Sequence, residues 1–189
     1  MSADQEFRQE LLGLIPQMRA FARSLCSGDR DLGDDLAQDA LERALKASGS
    51  FTPGTNMKAW TFMIIRNQFY SHKRRSWRSC ELDPEAAERT LVAVTNLSAG
   101  LELDELRRAL AMLPDDQREA LTLIGAGGLS YEEASEITGV AIGTIKSRVS
   151  RARDRLAMIY ADGEIAHDGE LPHRAMDLIM RGVPLTRAA

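Results

Sequence analysis

Apolar residues recur every three or four positions in separate stretches of this chain, and nowhere do they alternate for long enough to argue a sheet. The stretches are Phe7–Leu14, Met18–Leu25, Leu36–Leu45, Trp60–Phe69, Leu103–Leu113, Ala120–Ile124 and Ile145–Leu156. This spacing predicts an all-α fold. A 44% apolar fraction can fill the core, and a 5% aromatic content argues against a sandwich or barrel. The longest apolar run, Leu121–Leu129, is half of the roughly 18 residues a membrane span needs, so no membrane role is expected. The polar, acidic opening MSADQEFRQE does not read as a signal peptide. Cys26 and Cys80 lie far apart without CxxC spacing, which fits a reducing cytoplasm and no disulfide framework.

Local signals divide these helices. Pro16 either opens a new helix or bends the first, because a mid-helix proline forfeits a hydrogen bond. Asp29 or Asp31 can cap the third helix, and Thr55 or Asn56 the fourth. Periodicity fades between Ser76 and Gly100, where ELDPEAAERT and TNLSAG read as a linker. The expected organisation is two small helical domains, 1–75 and 101–160, joined by a 76–100 linker and followed by a 161–189 extension. In that extension Met176, Ile179 and Met180 could pack on a domain or fray.

The formal net charge of −4 speaks against nucleic acid only while it is read as an average. From Arg66 to Ser79 there are five basic residues (Arg66, Lys73, Arg74, Arg75, Arg78) and no acid. From Lys146 to Arg155 there are five more (Lys146, Arg148, Arg151, Arg153, Arg155) against Asp154. The rest holds 14 basic and 27 acidic residues, a net −13. Two basic surfaces on an acidic body are the footprint of phosphate contact.

The second basic stretch has a recognisable frame. Ser130-Tyr131-Glu132-Glu133 is a capping box, preceded by the break Gly125-Ala126-Gly127-Gly128. A short helix Tyr131–Thr138 meets Gly139, the residue that most easily ends a helix in the left-handed conformation. After a short turn a second helix is predicted from Ile142 to Tyr160. Ile145, Val149, Ala152 and Leu156 form its buried stripe, while Lys146, Ser147, Ser150 and Arg151 face outward with Arg148, Arg153 and Arg155 on the flanks. An apolar back, small polar and basic groups for base edges, and arginines for phosphates are what a recognition helix requires. The preceding LPDDQREALTLI places Asp115, Asp116 and Glu119 at the positive end of a helix dipole and reads as support alone.

In the first domain Asp34, Asp35, Asp39 and Glu42 crowd onto Asp31–Lys46, away from Leu36, Ala40, Leu41 and Ala44. Without His or Cys beside them they read as a solvated face or a docking face for a basic partner rather than a metal or catalytic centre. No cofactor is expected. After the loop Ala47–Asn56, five of the ten aromatics (Trp60, Phe62, Phe69, Tyr70, Trp77) interleave with the first basic stretch. That combination suits unpaired nucleic acid, although Trp60, Phe62 and Phe69 also read as core rings.

These motifs together resemble the bacterial sigma factors of the compact extracytoplasmic-function type. DDLAQDALERAL is similar to that family's polymerase-binding helix, NMKAWTFMIIRNQFYSHKRR to its start-proximal promoter element reader, and LPDDQREALTLIGAGGLSYEEASEITGVAIGTIKSRVSRARDRL to its upstream-element domain. The first two of these fall in sigma region 2 and the third in region 4, and the likeness covers about residues 5–160. The pairing of NMKAWTFMIIRNQFYSHKRR with REALTLIGAGGLSYEEA further resembles the subgroup controlling the general stress response in alphaproteobacteria.

The resemblance implies a non-catalytic initiation subunit that binds core RNA polymerase, at the beta-prime clamp helices and the beta flap, and directs it to promoter DNA. It puts Asp35, Gln38, Asp39 and Glu42 on the polymerase. It puts Tyr131, Thr144, Lys146, Ser147, Arg148, Ser150, Arg151 and Arg153 at the upstream element. Lys46, Asn56, Lys58, Trp60, Arg66, Asn67, Lys73, Arg74 and Arg75 fall to the start-proximal element, with a flipped base in the loop from Lys46 to Asn56. It also implies a small anti-sigma protein, released by a response regulator with a sigma-like domain. Ala141, where a proline often starts the recognition helix, and Ser150, where some members carry a bulky residue, depart from the pattern and bear on base preference.

Three rival readings compete. A sigma-like mimic need not retain Lys146, Arg148, Arg151 and Arg153, and all four are present. A plain helix-turn-helix repressor leaves the first domain without a role. An enzyme is the weakest reading, because His72, His167 and His173 are scattered and no phosphate loop or nucleophile–base spacing accompanies them.

Overall fold

A computed structural model of the chain describes residues 3–27, 29–79 and 99–161, with side chains at 4–27, 29–75 and 105–161. Of the expected 76–100 linker, residues 76–79 continue a helix and 99–100 begin one, while 80–98, the extension from 162 onward with Met176, Ile179 and Met180, and the side chains of Trp77 and Arg78 lie outside these residues. Among the described residues there is no strand, and the helices group into two compact units. One holds α1 (Ala3–Leu25), α2 (Arg30–Lys46) and α3 (Met57–Ser79). The other holds α4 (Ala99–Ala111), α5 (Asp115–Leu121), α6 (Tyr131–Thr138) and α7 (Ile142–Ala161).

In the first unit the three helices pack pairwise around Leu11, Met18 and Phe21 of α1, Leu36, Ala37, Ala40 and Ala44 of α2, and Met57, Phe62 and Ile65 of α3. Phe21 and Phe62 stack with centroids 4.4 Å apart and planes 10° from parallel. Pro16 does not open a second helix: α1 runs through it. Pro16 lies on the exposed face, where the carbonyl of Leu12 that it leaves unbonded can meet water. Asp29 caps α2 by accepting from the Leu32 amide, and Asn56 caps α3 by accepting from the Ala59 amide at 3.2 Å.

α1 and α2 come close where a side chain is missing. Gly33 is buried, and a Cβ there would stand 2.7 Å from the Arg23 Cα. One residue on, Asp34 accepts two hydrogen bonds from Arg23, at 2.8 and 2.7 Å, fastening the same crossing. Asp34 therefore does not belong to the outward acidic face on which the sequence reading set it. The hydrogen bonds from Arg23 hold its carboxyl below the usual carboxylate range, so this contribution is present at neutral pH and is lost as pH falls through that lowered pKa.

In the second unit α5 and α7 pack together, with Leu121, Leu123, Ile145, Val149, Ala152 and Leu156 at its centre. The α5 helix does not stop where the glycines begin. It continues through a π-helical turn, Thr122–Ala126, closed by the Gly127 amide on the Thr122 carbonyl at 2.8 Å, and the chain reverses only at Gly128, with φ +65°. Arg118 is almost fully buried: it donates to the Leu113 carbonyl at 3.0 Å and pairs with Asp115, satisfying the end of α4 and the start of α5 at once.

Gly33→Ala tests the crossing of α1 and α2. Alanine gains about 1 kcal/mol of helix propensity over glycine. A clash against backbone rather than a flexible side chain costs about 1–3 kcal/mol. The expected net effect is a lower melting temperature of the first unit. Both tryptophans, Trp60 and Trp77, lie in α3, so tryptophan fluorescence reads this unit alone. An unchanged or raised melting temperature would contradict the close approach.

Candidate nucleic-acid and polymerase interfaces

The structure puts the capping box where the sequence reading set it. The Ser130 Oγ accepts from the Glu133 amide at 3.1 Å, and the Glu133 carboxylate accepts from the Ser130 amide at 2.8 Å. Gly139 ends α6 at φ +72°, and the Ser135 hydroxyl donates to the Val140 carbonyl at 2.6 Å, fixing the turn between α6 and α7. Ala141 occupies the position before α7, and its carbonyl accepts the first two bonds of that helix.

On α7, Ile145, Val149, Ala152 and Leu156 are each 1% exposed or less. With that back fixed, Thr144, Lys146, Ser150 and Arg151 are exposed and Ser147 is half-buried. Tyr131 stands at the first position of α6 with the Lys146 ammonium 5.6 Å from its ring centroid, so these two candidates form one patch. Arg148 and Arg153 lie on the flank, half-buried, and Arg148 is ion-paired: its Nε is 3.1 Å from the Asp116 carboxylate on α5.

In the first unit Asp35, Gln38, Asp39 and Glu42 are all exposed on α2, with Leu32 and Leu45 exposed on the same helix. Spacings of three and four place Leu32, Asp35, Asp39 and Glu42 along one stripe, an acidic strip that begins at an apolar residue. Glu42 pairs with Lys46 one turn on, which holds the Glu42 carboxyl below its usual range. Candidates for polymerase and for DNA thus meet at the end of α2.

The loop from Ala47 is built on short-range bonds: the Ser50 amide to the Ala47 carbonyl, the Phe51 amide to the Ser48 carbonyl, and the Thr55 amide to the Thr52 carbonyl. Gly54 takes φ +85°, which favours glycine. Phe51 anchors the loop against Phe7 and Trp60, with centroids 5.7 and 5.2 Å away. Sequence spacing gives Phe7 only as the start of an apolar stretch and gives Phe51 no role, since each is an isolated aromatic far from the basic stretch. Thr52, Pro53, Gly54, Thr55 and Asn56 are exposed, although the Asn56 side chain is engaged as the α3 cap.

Along α3 the rings divide. Phe62 is core, at 2% exposure, but Trp60 and Phe69 are only half-buried, so the core reading holds for one of the three. Phe69 and Tyr70 meet edge to face at 5.2 Å. Arg66 lies over Tyr70 at 4.6 Å, and the Lys73 ammonium lies 5.9 Å from the Phe69 centroid. Asn67, Arg74 and Arg75 are exposed and Lys58 is half-buried. Among the described residues no group of three His, Cys, Asp or Glu side chains could hold a metal ion, and no helix is long and apolar enough to cross a membrane.

Comparison with known proteins follows the same division. Residues 13–79 match the family Sigma-70 region 2, and residues 103–156 match Sigma-70, region 4. The chain is 49% identical over 164 residues to the ECF RNA polymerase sigma factor EcfG of Rhodopseudomonas palustris, covering 86% of this chain and 90% of that one. It is 36% identical over 124 residues to the sigma factor SigC of Mycobacterium tuberculosis, 65% of this chain and 67% of that one. Among solved structures it is similar to the sigma factor RpoE of Bartonella quintana, crystallised with the anti-sigma factor NepR. That match has a TM-score of 0.76 at 46% identity and covers 83% and 98% of the two chains. It is also similar to CnrH in complex with the cytosolic domain of CnrY, with a TM-score of 0.60 at 25% identity, over 84% and 89%. A helix-turn-helix unit in the same chain as an acidic-striped, aromatic-basic helical unit is the pattern of a transcription initiation subunit. The chain belongs to the extracytoplasmic-function family of RNA polymerase sigma factors, which are non-enzymatic initiation factors.

Ser130→Ala tests the frame of the helix-turn-helix. Loss of the cap is expected to cost about 1 kcal/mol and to lower the melting temperature of the second unit. Circular dichroism at 222 nm, with tryptophan fluorescence unchanged, would locate the loss in that unit. No loss would mean that the cap is dispensable.

Proposed function

We propose that this sigma factor docks on core RNA polymerase, at the beta-prime clamp helices, through Asp35, Gln38, Asp39 and Glu42, with a further contact on the beta flap. It reads the upstream promoter element with Lys146, Ser147, Ser150 and Arg151, next to Tyr131 and Thr144, while Arg148 and Arg153 meet phosphates. Lys46, Asn56, Lys58, Trp60, Arg66, Asn67, Lys73, Arg74 and Arg75 serve the start-proximal element, with an unpaired base taken into the Lys46–Asn56 loop. On this reading 1–75 and 101–160 are the two DNA-binding domains, 76–100 links them and 161–189 is an appendage. The factor acts in the cytoplasm on general stress response genes, held by a small anti-sigma protein until a response regulator with a sigma-like domain releases it.

The observation that carries the DNA reading is the outward face of α7. Its back is locked by four apolar residues, and the opposite side exposes Lys146, Ser150 and Arg151 together. The stress role and the anti-sigma partner are supported by the 49% identity to EcfG and by the likeness to a sigma factor bound to NepR. No observation favours a second reading.

Arg151→Ala in the reconstituted polymerase tests this proposal. If Arg151 reads a base, upstream-element binding should weaken by about 1–3 kcal/mol and discrimination should relax at one promoter position. Unchanged promoter binding and transcription would argue for a sigma-like mimic instead.

A further inference from the structure

Two adjacent carboxylates at the start of α5 go in different directions. Asp115 turns inward to the buried Arg118. Asp116 reaches across to α7, where its Oδ2 lies 3.1 Å from the Arg148 Nε. By sequence alone Asp116 is an acid at the positive end of the α5 dipole and nothing more. Its side chain is 48% exposed and that of Arg148 22%, so the pair sits at the surface, at the flank of the face that carries Lys146, Ser150 and Arg151.

A surface ion pair contributes little to stability, so holding the fold together is a poor account of it. What it does fix is a rotamer. An arginine is long and flexible, and ordering it on binding costs affinity unless it is ordered beforehand. A guanidinium held at Nε still presents the N–H groups of both terminal nitrogens in a planar fork, the geometry that clamps a phosphate. The contact lies at Nε, 3.1 Å from the Asp116 Oδ2, and the two terminal nitrogens lie beyond it at the end of the side chain.

We infer that Asp116 is a positioning residue for promoter binding: it holds Arg148 at Nε and aims its terminal fork at a DNA phosphate beside the upstream element. The inference rests on the proposal that α7 is the DNA-reading helix. It gives Arg148 a contact that lysine could not reproduce, since a single ammonium cannot be held at one nitrogen and offer two others.

The sign of one substitution decides the matter. Asp116 is an acid near a polyanion, so simple electrostatics expects its removal to tighten DNA binding. Positioning expects the reverse. Core polymerase carrying the full-length chain would be titrated with a promoter DNA selected by the wild-type enzyme from a randomised library, across a range of salt. Asp116→Ala and the near-isosteric Asp116→Asn should each weaken binding about three- to ten-fold. The salt slope should hold, because Arg148 still reaches its phosphate in the bound state. Arg148→Ala should reduce the salt slope by about 1. The double variant Asp116→Ala with Arg148→Ala should bind no worse than Arg148→Ala alone. Equal or tighter binding by both Asp116 variants, with Arg151→Ala still weakened, would overturn the positioning role. If Arg151→Ala and Arg148→Ala also bind as wild type, the DNA reading of α7 fails and this inference falls with it.

Discussion

A helix can offer a polar face to DNA only if its opposite face is held hard enough to fix the angle of presentation. In α7 that condition is met by Ile145, Val149, Ala152 and Leu156, packed chiefly against α5. Everything proposed for the second unit depends on this stripe. The capping box and Gly139 set where the turn falls, the stripe sets the rotation of α7, and the rotation decides that Lys146, Ser150 and Arg151 emerge together. An apolar residue shifted by one position along the helix would turn the basic residues by about 100°. The reading face is therefore a consequence of core packing.

The same logic, with weaker anchors, governs the first unit. Small residues on α2 (Gly33, Ala37, Ala40 and Ala44) bury their helix and leave the acidic strip of Asp35, Asp39 and Glu42 outside. The Phe7–Phe51–Trp60 cluster ties the exposed loop to the ends of α1 and α3. Anchoring of this kind lowers the cost of ordering a loop, which is what the proposed capture of an unpaired base would require.

What could be read from the sequence was local. The capping box, Gly139 and the α7 stripe involve residues within one or two turns of each other, and spacing reports them directly; it narrows the other two caps to Asp29 or Asp31 and Thr55 or Asn56, of which the structure uses Asp29 and Asn56. The outward placement of Asp35, Asp39 and Glu42 was legible for the same reason, while Gln38 entered only through the family resemblance. What escaped was made by contacts distant in sequence. Asp34 looks like its acidic neighbours until Arg23, eleven residues away, is brought to it by a glycine crossing. Asp116 resembles an ordinary first-turn acid until α7 packs against α5. Nothing local in the sequence marks Arg118, and its burial follows only once α4 and α5 meet at a tight turn. Ring burial along α3 was likewise undetermined, since the period that buries Phe62 leaves Trp60 and Phe69 at the margin.

The net charge of −4 is the sum of two basic surfaces and an acidic remainder, and that distribution carries the central claim. Like charge around each basic patch weakens its attraction for duplex DNA, while the acidic strip on α2 favours a basic protein surface. The account is therefore of a DNA-binding protein that needs polymerase in order to bind. Fluorescence anisotropy on a labelled promoter at physiological salt, with the chain alone and with core polymerase, tests this most directly. Promoter-specific binding should appear only with polymerase present; tight, specific binding by the free chain would contradict it.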